Sequence, residues 1–434
     1  MKLDVQTDSH LIRAGARSDR YVLIHLTAPL GDRVRERPPV NLGLVLDRSG
    51  SMSGTKIQLV RRAAEEVIQA LSERDRFSLV VYDNEIEVVA ESRHATPEAK
   101  RWAVERLRTI DARGTTALAE GWFRGAEQVA LHQAPEFINR VLLLTDGLAN
   151  VGVTDPDELE HRAVGLHRRG IQTTTFGVGA DFDEALLERI ALAGGGNFYF
   201  IEQARQIPDF LTSELGEILE VVARDVAIEV ETASGVVVRA LSEAREEPRD
   251  GAWRFGLGDL VSGQEMEVVL HLNFPLGREG QALDVRISVR YRDGVLNGVL
   301  SGGETVSWQY ADHAENDRQP RNRVVDRAVA GLYAARARRE ATQLNRMGRY
   351  DEAASLLERV RWRIESYAGD DPELLRIVES LRVDFKVYAR PMMPMERKTR
   401  YSEASYALRS RDPDGTARRV RQRRNPESPV KSPS

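Results

Sequence analysis

Residues 41–54 read NLGLVLDRSGSMSG. The run NLGLVL is apolar at consecutive positions, which fits a strand buried on both faces better than one with a wet side. It passes without a linker into Asp47, Ser49 and Ser51, three oxygen-bearing side chains at alternate positions among glycines. An aspartate at the carboxyl end of a buried parallel strand lies in the crevice where open α/β sheets bind ligands. One side of a tight loop then carries a carboxylate and two hydroxyls. Donors of oxygen alone suit a hard cation such as Mg2+.

The flanking sequence predicts the fold that would hold such a loop. KIQLVRRAAEEVIQAL sets Ile57, Val60, Ala64, Val67, Ile68 and Leu71 at helical spacing. FSLVVY and IEVVA predict two strands around the turn dipeptide Asp83-Asn84. ATPEAKRWAVERLRTI predicts a helix with a threonine N-cap and proline at its first position. A helix from Thr116 to about His132, the strand NRVLLLTDG, a helix in DPDELEHRAVGLHRRG, the strand IQTTTFGVG, a helix in DEALLERIALAGGG and the strand NFYFI follow. Apolar strands alternating with helices imply a doubly wound, mostly parallel sheet covered on both faces. Two parts of this region reach toward the same crevice: RGTTALAEG (113–121), where hydroxyls precede a helix, and LLLTDG (142–147), where Asp146 ends an apolar strand.

The character changes on either side of this α/β unit, assigned to residues 38–222. VAIEVETASGVVVRALS, MEVVLHLNF and ALDVRISVRYRD alternate apolar and polar residues between Gly-rich turns, which predicts an antiparallel β-sandwich over 223–312. The strand RYVLIHLTAPL, within residues 1–37, is expected to complete that sandwich, so that the α/β unit is an insertion in it. Residues 313–388 are expected to form a helical hairpin; RMGRYDEAASLLERV (346–360) resembles the second helix of a tetratricopeptide repeat, without a second copy at that period. Residues 389–434, rich in Pro, Ser and Arg, are expected to be a disordered basic tail.

Composition narrows the chemistry. With 434 residues, 41% hydrophobic and 30% charged, the chain is globular and long enough for more than one core. No apolar run approaches the roughly 20 residues of a membrane helix. The absence of cysteine excludes disulfides, thiolate metal sites and thiol nucleophiles. A net charge of −5 gives no reason to expect nucleic acid as the partner of the whole chain. The N-terminus lacks the apolar segment of a secretory signal, and a cytoplasmic location is expected.

DxSxS at the first strand end, a threonine in a G-x-T loop and a TDG aspartate, in that order, resemble the metal-ion-dependent adhesion site of von Willebrand factor type A domains. The resemblance covers about residues 38–222, and SLVVYDNEIEVV with GVGADFDEALLERIALAGGGNFYFIE is similar to stand-alone bacterial members. It implies that Ser49, Ser51 and Thr116 give hydroxyl oxygens to Mg2+, with Mn2+ or Ca2+ as alternatives, while Asp47 and Asp146 bind partly through water. Thr116 is preferred because it stands third in Gly114-Thr115-Thr116 and five residues before Gly121; the doubled threonine leaves Thr115 open. The function implied is binding of an Asp or Glu side chain of a protein partner, without catalysis, in association with kinase, phosphatase or AAA+ systems. The alternatives are a scaffold that binds through the helical segment and Arg-rich tail, and a metal-assisted hydrolase.

Other motifs carry blander readings. GSMSGTK fails as a phosphate loop, since three residues separate Gly50 from Gly54 and Thr55 precedes Lys56. No G-x-S-x-G elbow is present around DRSGS. His94, His132, His161, His167 and His271 lack metal-ligand spacing, Gly194–Gly196 reads as a helix C-cap and turn, and Trp102 and Trp122 as packing residues. PMMPM (391–395) fits an exposed peptide motif or a linker pinned on the helices. Arg418, Arg419, Arg421, Arg423 and Arg424 form a basic run, and Ser428 and Ser432 each precede proline.

Overall fold

The computed structural model describes residues 1–31, 37–249, 251–293 and 298–420. The chain begins with strands β1 (Lys2–Thr7), β2 (Leu11–Arg13) and β3 (Ser18–Thr27). An α/β unit follows, in the order β4 (Val40–Asp47), α1 (Thr55–Ala70), β5 (Arg76–Tyr82), β6 (Ile86–His94), α2 (Pro97–Arg108), α3 (Leu118–Ala130), β7 (Ile138–Thr145), α4 (Pro156–Arg168), β8 (Ile171–Val178), α5 (Glu184–Ala193), β9 (Gly195–Ile201) and α6 (Ile207–Leu219). Its sheet runs β6-β5-β4-β7-β8-β9, parallel throughout except for the β5–β6 pair. β4, β7 and β8 are buried at every position, because helices cover both faces.

Alternation along β4 divides the two layers. Leu42, Leu44 and Leu46 pack into the core beneath α1 and α6, while Val45 packs with α3. All of the periodic residues of α1, from Ile57 to Ile68, are buried, and each fully buried Val or Ile contributes about 1.5–3 kcal/mol. α3 lies unusually close to the sheet. A Cβ on Gly121 would come within 2.5 Å of the Tyr82 ring, and one on Gly125 within 2.1 Å of Val45, so only glycine permits this approach.

Beyond the α/β unit come β10 (Val221–Thr232), β11 (Val237–Ala240), β12 (Arg245–Arg249), β13 (Ala252–Val261), β14 (Glu265–Phe274), β15 (Ala282–Asp293) and β16 (Val299–Ala311). They form two sheets, β1-β3-β14-β11 and β12-β13-β10-β15-β16-β2. β3 pairs antiparallel with β14 along its whole length, from Ser18 opposite Phe274 to Thr27 opposite Glu265. β2 adds in parallel to β16. Inward-facing residues of both sheets, among them Ile24, Phe255, Phe274 and Trp308, share one core. The α/β unit therefore sits between two strands of a sandwich built from both of its ends.

The remaining helices are α7 (His313–Arg318), α8 (Arg323–Arg346), α9 (Tyr350–Ala368), α10 (Pro372–Tyr388) and α11 (Pro394–Leu408). The expected hairpin is α8 and α9, and α10 packs on both. Ala330, Ala334, Ala337 and Ala341 give α8 a small-residue face against Leu357, Ile364, Leu374 and Leu381. Val325 and Val329 seat α8 on Leu23 and Val269 of the sandwich.

The expectation of disorder from residue 389 is corrected. Pro394 opens α11, and residues 409–420 continue as an ordered strap across the α/β unit and the sandwich. Composition misled here because the basic residues find acids through tertiary contact. Arg411 is buried against Glu217 at 2.7 Å, Lys398 against Glu184 at 2.6 Å, and Arg419 pairs with Glu220. PMMPM is split by this arrangement: Met392 is buried, Met393 is exposed and Pro394 begins the helix. Arg421, Arg423, Arg424, Ser428 and Ser432 lie outside the described residues. Trp122 is buried and donates to Thr173 at 3.1 Å, whereas Trp102 lies at the surface beneath the guanidinium groups of Arg93 and Arg106. Among the described residues, no helix is long and apolar enough to cross a membrane.

Candidate metal centre

The carboxyl ends of β4 and β7 are neighbours, since the two strands pair in register from Val40 with Ile138 to Leu46 with Leu144. That register brings Asp47 beside Thr145 and Asp146. Asp47 Oδ1 accepts the Ser49 backbone N–H at 2.7 Å, which tightens the loop as it leaves the strand. Asp47 Oδ2 accepts the Thr145 hydroxyl at 2.6 Å. Ser49 Oγ and Ser51 Oγ are 3.0 Å apart, and Ser51 donates to Asp146 Oδ1 at 2.6 Å. Lys56, in the first turn of α1, donates to Asp146 Oδ2 at 2.5 Å.

The third loop is tied to the first by its backbone. Gly50 N–H donates to the Gly114 carbonyl at 3.1 Å, and Arg113 N–H to the Arg48 carbonyl at 2.7 Å. Asp83, buried in the β5–β6 turn, holds both loops through Arg48 at 3.1 Å and Arg113 at 2.8 Å. Thr116 is buried and Thr115 exposed. A Cβ built on Gly147 would lie 3.3 Å from Thr116 Oγ1 and 3.9 Å from Ser51 Oγ, so these two hydroxyls border the same glycine. Asn150 accepts from the Thr116 N–H at 3.2 Å and keeps the β7–α4 loop against it.

The five side chains predicted from sequence thus share one crevice. Asp47, Ser49, Thr116 and Asp146 are buried, and Ser51 opens to solvent. Burial pushes the Asp47 carboxyl up to about 6; the neighbouring Asp146 adds to the rise, and the bonds from Thr145 and Ser49 only partly offset it. The Lys56 ammonium is the one cationic partner that this carboxylate pair has among the described residues. Three hydroxyls around two under-neutralised carboxylates fit a hard divalent cation, which would supply the charge the pair lacks. No group of three or more His, Cys, Asp or Glu side chains gathers to hold an ion among the described residues, so hydroxyl oxygen is essential to this set.

Thr145, Lys56 and the Asp83 clamp are additions from the structure. Thr145 stands in the TDG motif itself, and a hydroxyl beside a strand-end acid was its signal. Lys56 stands in GTK, where the second residue of a helix after the loop faces back toward it. Nothing local in the sequence marks Asp83 as the partner of Arg48 and Arg113.

Residues 41–213 match the family model of the von Willebrand factor type A domain. The chain carries a von Willebrand factor type A domain. The type A domain is shared with the uncharacterized protein YfbK of Escherichia coli (strain K12), 32% identical over 198 residues, which cover 45% of this chain and 34% of that one. The uncharacterized protein sll0103 of Synechocystis is 29% identical over 309 residues, 68% of this chain and 71% of its own length. The chain therefore spans about a third of the first relative and more than two thirds of the second. The similarity to a solved structure extends beyond the type A domain. The von Willebrand factor type A protein from Catenulispora acidiphila superposes with a TM-score of 0.72 over 96% of this chain and 97% of its own, at 19% identity. The combination of α/β unit, sandwich and helices is thus a shared fold.

Proposed function

We propose that this protein is a divalent-cation-dependent protein-binding module. In this reading Ser49, Ser51 and Thr116 hold Mg2+ by their hydroxyl oxygens, and Asp47 and Asp146 stand behind them, partly through water. When bound, the ion supplies a Lewis-acidic, positively charged point at the rim. The surrounding residues determine how much of that charge is left. Thr145 and the Ser49 N–H occupy Asp47, and Lys56 and Ser51 occupy Asp146, so neither aspartate is free to cancel the ion outright. A partner's Asp or Glu carboxylate would be drawn to that charge.

The observation that carries this reading is the buried Asp47–Asp146 pair with a single ammonium for company. We place binding before catalysis because each oxygen of both aspartates already accepts a hydrogen bond that ties it to the loops. We assign the protein to the bacterial cytoplasm on the same terms.

Calorimetric titration with MgCl2 tests the first half. The wild type is expected to bind one ion per chain, and Asp47→Ala to lose most of that affinity while keeping its near-UV circular dichroism. A pull-down from lysate in MgCl2 against the same pull-down in EDTA tests the second half. Absence of Mg2+ binding, or partner capture untouched by EDTA and by Asp47→Ala, overturns the proposal.

A further inference from the structure

The opposite end of the same sheet carries a cleft of different character. It opens where β7 and β8 begin, at Asn139 and Gln172, and is closed by strands of the sandwich; its volume is about 340 Å3. Five guanidinium groups line it: Arg168 at the end of α4, Arg224 on β10, Arg245 on β12, Arg254 on β13 and Arg292 on β15. Among the described residues, three carboxylates, Asp225, Glu247 and Asp259, line it with them.

The pairing leaves charge over. Glu247 is shared by Arg245 at 2.9 Å and Arg254 at 3.3 Å, and Arg254 also reaches Asp225 at 3.3 Å. Asp259 is taken by Arg140 at 3.4 Å and by the Asp225 N–H at 3.0 Å. Arg224 donates to the carbonyls of Pro135 and Phe137, each at 2.8 Å. Among the described residues, neither Arg168 nor Arg292 has a carboxylate partner. The guanidinium groups also act on one another: burial, with Arg292 and Arg140 nearby, holds Arg224 below its ordinary value.

Two buried nitrogens behind the cleft wall lack a partner among the described residues. Arg140, which bonds Gln172 on the cleft wall and is 4% exposed, has an unpartnered Nε. His167, whose ring borders the cleft, turns a buried, unpartnered Nδ1 toward Gly195 of β9, and burial and Arg245 lower its basicity. Asp225 holds φ at +50°, in the left-handed region that aspartate adopts more readily than most residues other than glycine and asparagine. Guanidinium groups without a carboxylate of their own thus gather at one place.

We propose that this cleft binds a small phosphate-bearing molecule, with Arg168 and Arg292 as its primary charge partners. A phosphate group offers two negative charges and several acceptor oxygens in the geometry a guanidinium fork fits. Arg168 and Arg292, two guanidinium groups with no carboxylate partner among the described residues, match a dianion better than a carboxylate. The volume suits a pyrophosphate or a sugar phosphate, near the lower end of small-molecule pockets. The site lies at the joint between the type A domain and the sandwich, on the far side of the sheet from Asp47.

The test uses the full chain in EDTA at fixed ionic strength, titrated calorimetrically with sodium pyrophosphate. Saturable binding of one equivalent is expected. The double variant Arg168→Ala, Arg292→Ala should weaken it at least tenfold, and Asp47→Ala should leave it unchanged, which separates this site from the metal centre. Arg168→Gln alone, at an exposed helix end, should weaken binding in the same direction if the double variant melts early. Non-saturable heats, or undiminished affinity in both arginine variants, overturn the proposal. So does binding of a phosphoserine peptide without binding of pyrophosphate, which would make the ligand a protein.

Discussion

Two of the regions of the α/β unit that bury carboxylates treat them differently. On α6, Glu214 accepts from Arg140 at 2.9 Å, Thr174 at 2.7 Å, Asn197 at 3.0 Å and Tyr199 at 2.7 Å. Burial by itself would raise its carboxyl, but the Arg140 charge and these bonds bring it below its ordinary value. One turn on, Glu217 holds Arg411 of the C-terminal strap and the Ala417 N–H. At the end of β4, by contrast, Asp47 has hydroxyl and amide donors but no guanidinium, and its carboxyl rises to about 6. A buried acid matched by a guanidinium fastens elements together. A buried acid left short of charge is what the proposed cation would neutralise.

The largest effect should come from breaking the matched network. Arg411→Ala leaves Glu217 buried without its partner, and a loss of about 3–5 kcal/mol in urea unfolding is expected. A loss under about 1 kcal/mol would show that the strap is held by its other contacts. Filling the unmatched site should come next. Mg2+ at a hundredfold excess over its dissociation constant should stabilise the chain by about 2.7 kcal/mol, seen as a raised thermal midpoint that Asp47→Ala abolishes.

Another buried acid in the same domain sharpens the contrast. Burial works to raise the Asp75 carboxyl, but Arg37 at 2.6 Å and the N–H groups of Val40 and Ser72 outweigh it and bring it to about 2. Because the folded value lies below the unfolded one, this contribution is complete above about pH 4 and is lost as pH falls toward 2. It amounts to roughly 2 kcal/mol. Asp75→Asn should flatten that part of an acid-denaturation curve, and an unchanged curve would remove Asp75 from the comparison. The smallest change is at Lys56. Lys56→Met should tighten Mg2+ up to about tenfold, about 1.4 kcal/mol, since the ammonium no longer competes for Asp146. Weaker Mg2+ binding would show instead that Lys56 orients Asp146.

The strands and helices of the α/β unit were legible because each announces itself locally. β4, β7 and β8 are continuous apolar runs, and Thr96 and proline mark the start of α2, where the Thr96 hydroxyl accepts from Ala99 N–H at 3.3 Å. The candidate donors were legible as residue types at strand ends. Their supports were not, because Lys56 and Asp146 lie 90 residues apart and Thr145 and Asp47 lie 98 apart. The order of residues 389–420 was invisible for the same reason: Arg411 finds Glu217 across 194 residues.

Sequence alone determined the alternation of elements, the strand-end aspartates and the hydroxyls beside them, since periodicity and turn chemistry act over a few residues. Tertiary structure decided which threonine faces Gly147, which acids are matched by arginine and which are left short, and that the basic C-terminal segment is a strap. Charge compensation depends on distance in space, and only the folded chain sets those distances.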